Sequence, residues 1–180
     1  MGEITIQGKD VERYFQSIDN LKSFHEQFNF DDNDRAIVIV GLAYIDDLLL
    51  YCLENFFPSD SKTVTKMLSH RGVLGTFSAK VDMLYSLGFI DKIVKSDLDN
   101  LGTIRNEFAH KTTISFEDEK IKKVCLSFKW HEIAMMMNAP AEATVRDIFK
   151  VEVNTIVSHL SGIAGMARGE KRKVKEEYGK

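Results

Sequence analysis

The chain is poor in several residue types, and each shortage excludes a class of protein. Two prolines and two cysteines in 180 residues leave no proline-rich linker and no disulfide-stapled secreted scaffold. Cys52 and Cys125 each sit in an apolar helical pattern without neighbours at zinc-ligand spacing, so buried free thiols in a reducing cytoplasm are expected. Long hydrophobic runs are missing as well: Ala36 to Ile45 is about half a membrane span and is closed by Asp46 and Asp47. Met1 to Asp10 has no basic stretch followed by an apolar one, so no signal peptide is read there and a cytoplasmic protein with no membrane partner is expected. A net positive charge is missing too. The net charge is −3, and residues 168–180 carry six basic against three acidic side chains (+3), which leaves −6 on residues 1–167. A body of that sign offers no global footprint for nucleic acid.

What remains is an ordinary globular composition, 44% hydrophobic and 28% charged, with helical periodicity almost throughout. Val11, Phe15, Ile18, Leu21, Phe24 and Phe28 predict an amphipathic helix over roughly 10–29. A second helix, capped by Asp34 and running to about Phe57, is apolar on nearly every face and belongs at the centre of a bundle. Pro58 to Asp60 stop it, and a short helix from about Ser61 to Leu68 leads into the Gly72–Gly75 loop. Thr76 caps a helix to Leu87, which Gly88 ends. Further helices are predicted from near Asp91 to Lys111, from Ser115 through Phe128, and from about Ala141 to Met166 after Pro140. A scrap of strand is allowed only at Gly2 to Gly8, and no sheet is expected. The expected architecture is a single all-α domain over 1–167, a bundle of five or six helices, followed by a charged tail over 168–180.

Within that plan Arg105-Asn106-Glu107-Phe108-Ala109-His110 carries the most chemistry. Arginine is a permanent cation whose planar donors match phosphate, and histidine moves protons near neutral pH. At 100° per residue Leu101, Ile104 and Phe108 fall on one side, Asn106 and His110 stack on the opposite one, and Arg105 lies at the border. Two readings stay open on spacing alone. The six residues form a site, or Arg105 pairs with Asp46 or Asp47 of the central helix while His110 sits at a helix C-terminus that favours its charged form.

Other candidates are weaker. Gly72-Val73-Leu74-Gly75 before the Thr76 helix could offer N–H groups, with Ser78 or Lys80, to a phosphate. It lacks the Gly-Lys-Ser/Thr ending of a P-loop and reads as a tight turn before a capped helix. Leu84 to Leu98 imitates a helix-turn-helix, but Asp91, Asp97 and Asp99 on its second helix would repel DNA phosphates. Asp46-Asp47 and Glu117-Asp118-Glu119 read as structural, no histidine has metal-ligand spacing, and no cofactor motif is present. Met135-Met136-Met137 reads as adaptable core near a helix end, and Trp130 as half-buried.

Gly72-Val73-Leu74-Gly75-Thr76-Phe77-Ser78-Ala79-Lys80, then Leu84-Tyr85-Ser86-Leu87-Gly88-Phe89-Ile90, then Ile104 to His110, in this order and spacing, resembles the mannitol operon repressor family of bacteria. The likeness covers roughly residues 34–112 and includes Ile45-Asp46-Asp47-Leu48-Leu49. It implies an all-helical transcriptional regulator without a recognisable DNA-binding motif. Arg105 to His110, with four intervening residues, also looks like the signature of the HEPN superfamily. In that superfamily's ribonucleases, which include toxins of toxin–antitoxin pairs and RNA-targeting CRISPR effectors, two such helices meet across a dimer to form a metal-independent site. That resemblance implies that Arg105 holds the scissile phosphate, Asn106 orients the site and His110 assists attack by the RNA 2′-hydroxyl, with Lys111 and the basic tail adding local charge.

Many HEPN proteins are not nucleases. The expectation is therefore a regulatory or interaction protein, homodimeric, acting through a protein partner (a regulator or an antitoxin) rather than by direct DNA binding. The alternative is an endoribonuclease using Arg105 and His110 across the dimer, with RNA as substrate.

Overall fold

A helix that is apolar on nearly all sides has to be surrounded, and the chain is arranged to do so. The computed structural model describes Phe24, Phe28 and residues 33–59, 61–136, 140 and 142–175. Seven helices run through the described residues: α1 (Asp34–Phe56), α2 (Lys62–Leu68), α3 (Phe77–Ser86), α4 (Lys92–His110), α5 (Glu119–Cys125), α6 (Trp130–Met135) and α7 (Val145–Gly169). No strand occurs among them. The all-α bundle is as expected. The possible strand at Gly2–Gly8, most of the helix over 10–29, Met137 and the last residues of the tail lie outside the described residues. Phe24 and Phe28 are helical and buried.

α1 is the hub. Ile37, Val38, Leu42, Ile45, Leu49, Cys52 and Leu53 are fully buried, and α1 packs most extensively along α7, then against α4 and α3. By length and hydropathy alone α1 could cross a membrane; here those apolar residues are the core of the bundle. Burying one such side chain contributes roughly 1.5–3 kcal/mol. α7 presents Phe149, Val153, Ile156, Val157, Leu160 and Ile163 to it. The Cys52 thiol points at the Leu160 carbonyl, 3.4 Å away. Burial pushes the Cys52 and Cys125 thiols up to about 12, so both stay protonated.

Helix ends follow the expected chemistry with three corrections. Asn33, not Asp34, caps α1, its side chain accepting from the Ala36 N–H at 3.1 Å. Asp34 is drawn outward instead, accepting from the Phe116 N–H at 3.0 Å and pairing with Arg146. The segment after Asp118 does not run as one helix to Phe128. It breaks after Cys125, and α6 starts afresh because Asp97 reaches across from α4 to accept from the Lys129 and Trp130 N–H groups at 2.8 and 2.7 Å. This split takes the count above the five or six helices expected. The last helix begins at Val145 rather than Ala141, where Thr144 and Asp147 form a capping box. Thr76 and Asp91 cap α3 and α4, and Gly88 (φ 77°) ends α3 in the left-handed conformation that favours glycine.

The segment read as the start of the tail is partly structured. Arg168 and Gly169 complete α7. Lys171 Nζ donates to the Glu54 carbonyl at 2.9 Å, and the Arg172 N–H donates to the Phe56 carbonyl at 2.8 Å. The Arg172 guanidinium lies 5.1 Å from the Phe56 ring centroid. α1 has no basic residue in its own last turn, and these cations supply the missing compensation for its exposed carbonyls.

One polar cluster lies inside the bundle. Glu152 of α7 is fully buried, its Oε2 accepting from the His131 N–H at 3.0 Å and lying 2.8 Å from His131 Nδ1. Burial pushes the Glu152 carboxyl up to about 8 and lowers the His131 imidazole below its ordinary value. From about pH 4.5 to 8 the folded chain therefore keeps a proton on Glu152 that the unfolded chain releases, and stability falls as pH rises. His131 works the opposite way only below its ordinary value of 6.5, where the unfolded chain takes a proton the folded one refuses. The melting temperature should accordingly fall between about pH 6.5 and 8. Glu152→Gln, which removes the titration at nearly constant volume, should flatten that fall. Differential scanning fluorimetry across the window checks it, and an unchanged slope in the variant would assign the effect to another group.

Candidate functional site

α4 is fixed at both ends before it displays anything. Asp91 caps its start through the Ile93 and Val94 N–H groups at 2.8 and 2.9 Å. At its end the Arg35 guanidinium, from the first turn of α1, donates to the carbonyls of Phe108 and Lys111. The sequence reading missed Arg35. Its signal was available: a cation in the first turn of a helix opposes the helix dipole and needs a partner elsewhere.

Between those anchors the helical wheel holds. Leu101, Ile104 and Phe108 are fully buried, Asn106, Ala109 and His110 are exposed, and Arg105 is intermediate. The side chains of Arg105, Asn106 and His110 make no hydrogen bond or ion pair to any other described residue. The pairing of Arg105 with Asp46 or Asp47 is not formed. Asp46 instead holds Lys80 of α3 at 2.8 Å, and Lys80 is only 4% exposed. Lys80 is therefore engaged within the fold and unavailable to a phosphate at the surface. Glu107, by contrast, faces α5 and takes Lys111 at 2.7 Å and Lys120 at 2.5 Å. The bonds from Lys111 and then Lys120 hold its carboxyl down at about 2. Lys111 is thus an ion-pair member as well as an exposed cation.

The structure brings three of the expected site residues together. Ser78, Arg105 and Asn106 line a cleft of about 300 Å³ between the first turn of α3 and the middle of α4, with Phe77 and Gly102 at its floor. His110 and Lys111 do not line it. Gly72 and Gly75 lie elsewhere: a Cβ on either would come within 2.2–2.4 Å of carbonyl oxygens of Lys66, Met67 or His70. Their N–H groups donate to Ser69 and Gly72 carbonyls, so these glycines serve a tight turn. Asp97, counted among the acids that would repel DNA, is buried beneath α6; Asp91 and Asp99 remain at the surface. A second hollow, of about 620 Å³, is lined by Trp130 and His159, whose rings sit 4.3 Å apart, and by Met135 and Asn154. Among the described residues no group of three or more His, Cys, Asp or Glu side chains could hold a metal ion.

These helices define an all-α bundle built round one apolar helix and closed by a second long one, with a polar edge on the helix packed beside them. No known family description matches the chain, and no curated protein matches its sequence. Its fold is shared with solved structures. One is a chain of the MtlR–HPr complex from Escherichia coli (TM-score 0.62, 20% identity, covering 78% of this chain and 97% of that one). Another is YggD from Shigella flexneri 2a, described as a possible transcriptional regulator (TM-score 0.58, 14% identity, 79% and 95% covered). The all-helical fold expected from the resemblance is observed, and it is shared with the MtlR–HPr structure.

Arg35→Met should release two charge-assisted bonds at the end of α4 and cost about 1–3 kcal/mol. Urea unfolding reads the loss, and amide exchange should accelerate at residues 108–111 before it does in α1. Uniform acceleration, or none, would show that Arg35 does not hold this helix end.

Proposed function

We propose that this chain is a regulatory helical protein that acts by docking a partner protein and does not read DNA itself. The observation that carries this reading is the fold, shared over nearly the whole of a chain solved in complex with the protein HPr. Charge supports it. The body carries −6, and α4, the helix that would have to enter a groove, begins at Asp91 and exposes Asp99, so phosphate contacts would be repelled. An HPr-type protein is the first partner to try. Co-elution of the full chain with HPr of the same organism on size-exclusion chromatography is expected. Retardation of operator DNA by the isolated chain, with no complex formed with HPr, would contradict the reading.

A second reading is favoured by one specific observation: Asn106 and His110 are exposed and Arg105 half-buried, and none of the three side chains has a partner among the described residues. In a metal-independent ribonuclease, His110 would take the proton from the RNA 2′-hydroxyl as its oxygen attacks phosphorus. Arg105 would balance the charge growing on the phosphate, and Asn106 would hold the geometry. The leaving 5′-oxygen needs a proton in return, and one motif supplies a single imidazole. This chemistry therefore requires a homodimer that brings two copies of α4 together. Labelled RNA with EDTA, incubated with wild type, Arg105→Ala and His110→Ala, separates the readings. A nuclease loses about 10²–10⁴-fold in each variant, whereas no cleavage, or equal cleavage in all three, leaves the regulator.

A further inference from the structure

The α3–α4 cleft gathers Arg105 and Asn106, which the ribonuclease reading shares, with Ser78, Phe77 and Gly102, which neither reading uses. The one charge in its lining without an ion-pair partner among the described residues is the Arg105 guanidinium, a permanent cation. The carboxylate in the same wall, Asp99, is engaged by Lys95 at 2.8 Å, and Lys95 also holds Asp82 at 2.9 Å. Asp99 is thus balanced from outside the cleft, and Arg105 is left facing it. Beside Arg105 the Asn106 amide is free, and the Ser78 hydroxyl makes only a 3.5 Å contact with Thr76. Guanidinium, amide and hydroxyl together form a donor set for a phosphate group.

The floor adds a second, independent oddity. Gly102 lies in the interior of a 19-residue helix, where glycine is a poor helix former. Packing does not demand it, because a Cβ there would meet only two ring carbons of Phe77, both at 3.5 Å, an ordinary contact. What the missing side chain does is keep the floor open beside the half-buried Phe77 ring. A flat or apolar ligand portion can lie there while its phosphate reaches Arg105. At about 300 Å³ the space is at the small end of ligand sites and suits one nucleotide or sugar phosphate rather than a polymer.

We propose that the cleft between α3 and α4 is a binding site for a small phosphorylated ligand of nucleotide size, its phosphate held by Arg105, Asn106 and Ser78 and its remainder lying over Gly102 against Phe77. The site is complete within one chain and does not involve His110.

Isothermal titration of the full-length protein with adenosine 5′-monophosphate, adenosine and inorganic phosphate tests it. The monophosphate should bind at least about ten-fold more tightly than adenosine, with inorganic phosphate competing. Arg105→Ala should weaken the monophosphate about ten-fold or more, and His110→Ala should leave it unchanged. Gly102→Ala should keep or raise the melting temperature, as expected for alanine in a helix, while weakening the monophosphate several-fold. No monophosphate binding at millimolar concentration overturns the proposal. So do equal affinities for monophosphate and adenosine, or undiminished binding in a folded Arg105→Ala protein. Because the readout is binding and His110 is dispensable to it, its failure leaves both the docking and the ribonuclease readings standing, and their failure leaves it standing.

Discussion

The burial of α1 is the constraint on which the rest of the structure depends. Its apolar side chains point in too many directions for one neighbour to cover, so α7, α4 and α3 pack around it, with Phe24 and Phe28 also buried in the same core. Each of those helices then has a fixed rotation. For α4 the consequence is functional: with Leu101, Ile104 and Phe108 committed to α1 and its neighbours, Asn106 and His110 must face outward, and Arg105 must lie along the seam toward α3. α1 also acts at its ends. Its first turn supplies Arg35 to the carbonyls of α4, and its last turn receives Lys171 and Arg172 from beyond α7.

Polar groups divide into two populations. Those in the interior are engaged with one another: Lys80 with Asp46, Asp97 with the start of α6, Glu152 with His131. Such groups are costly to bury without partners, and their partners set where helices begin and how they lie. Arg105, Asn106 and His110 belong to the other population. They sit on a helix held at both ends, by Asp91 and by Arg35, and their side chains have no partner among the described residues. A rigid scaffold that holds an unpaired cation, amide and imidazole on one edge is suited to meeting something outside the chain.

Much of this was legible in the sequence. The apolar breadth of Asp34–Phe56 marked the central helix, Thr76 and Asp91 marked two helix starts, Gly88 marked a stop, and the 3.6-residue period placed Phe108 inward and His110 outward. The misses share a cause. Whether Asn33 or Asp34 caps α1 depends on Phe116 and Arg146, which compete for the Asp34 carboxylate from more than eighty residues away. The break between α5 and α6 depends on Asp97, which local pattern reads as a surface acid. Asp46 takes Lys80 from α3 rather than Arg105 from α4. Local periodicity reports one helix at a time, and these choices are made between helices. The cleft beside Gly102 was invisible for the same reason, since its walls come from segments about 25 residues apart.

Residue-resolved labelling of the intact protein with diethyl pyrocarbonate, read by mass spectrometry, tests the central claim most directly: that His110 stands open on a fixed helix while His131 is locked inside. The account predicts rapid modification of His110 and essentially none of His131, which is 5% exposed, under conditions where the far-ultraviolet spectrum is unchanged. Protection of His110 to the level of His131 in the isolated chain would contradict it.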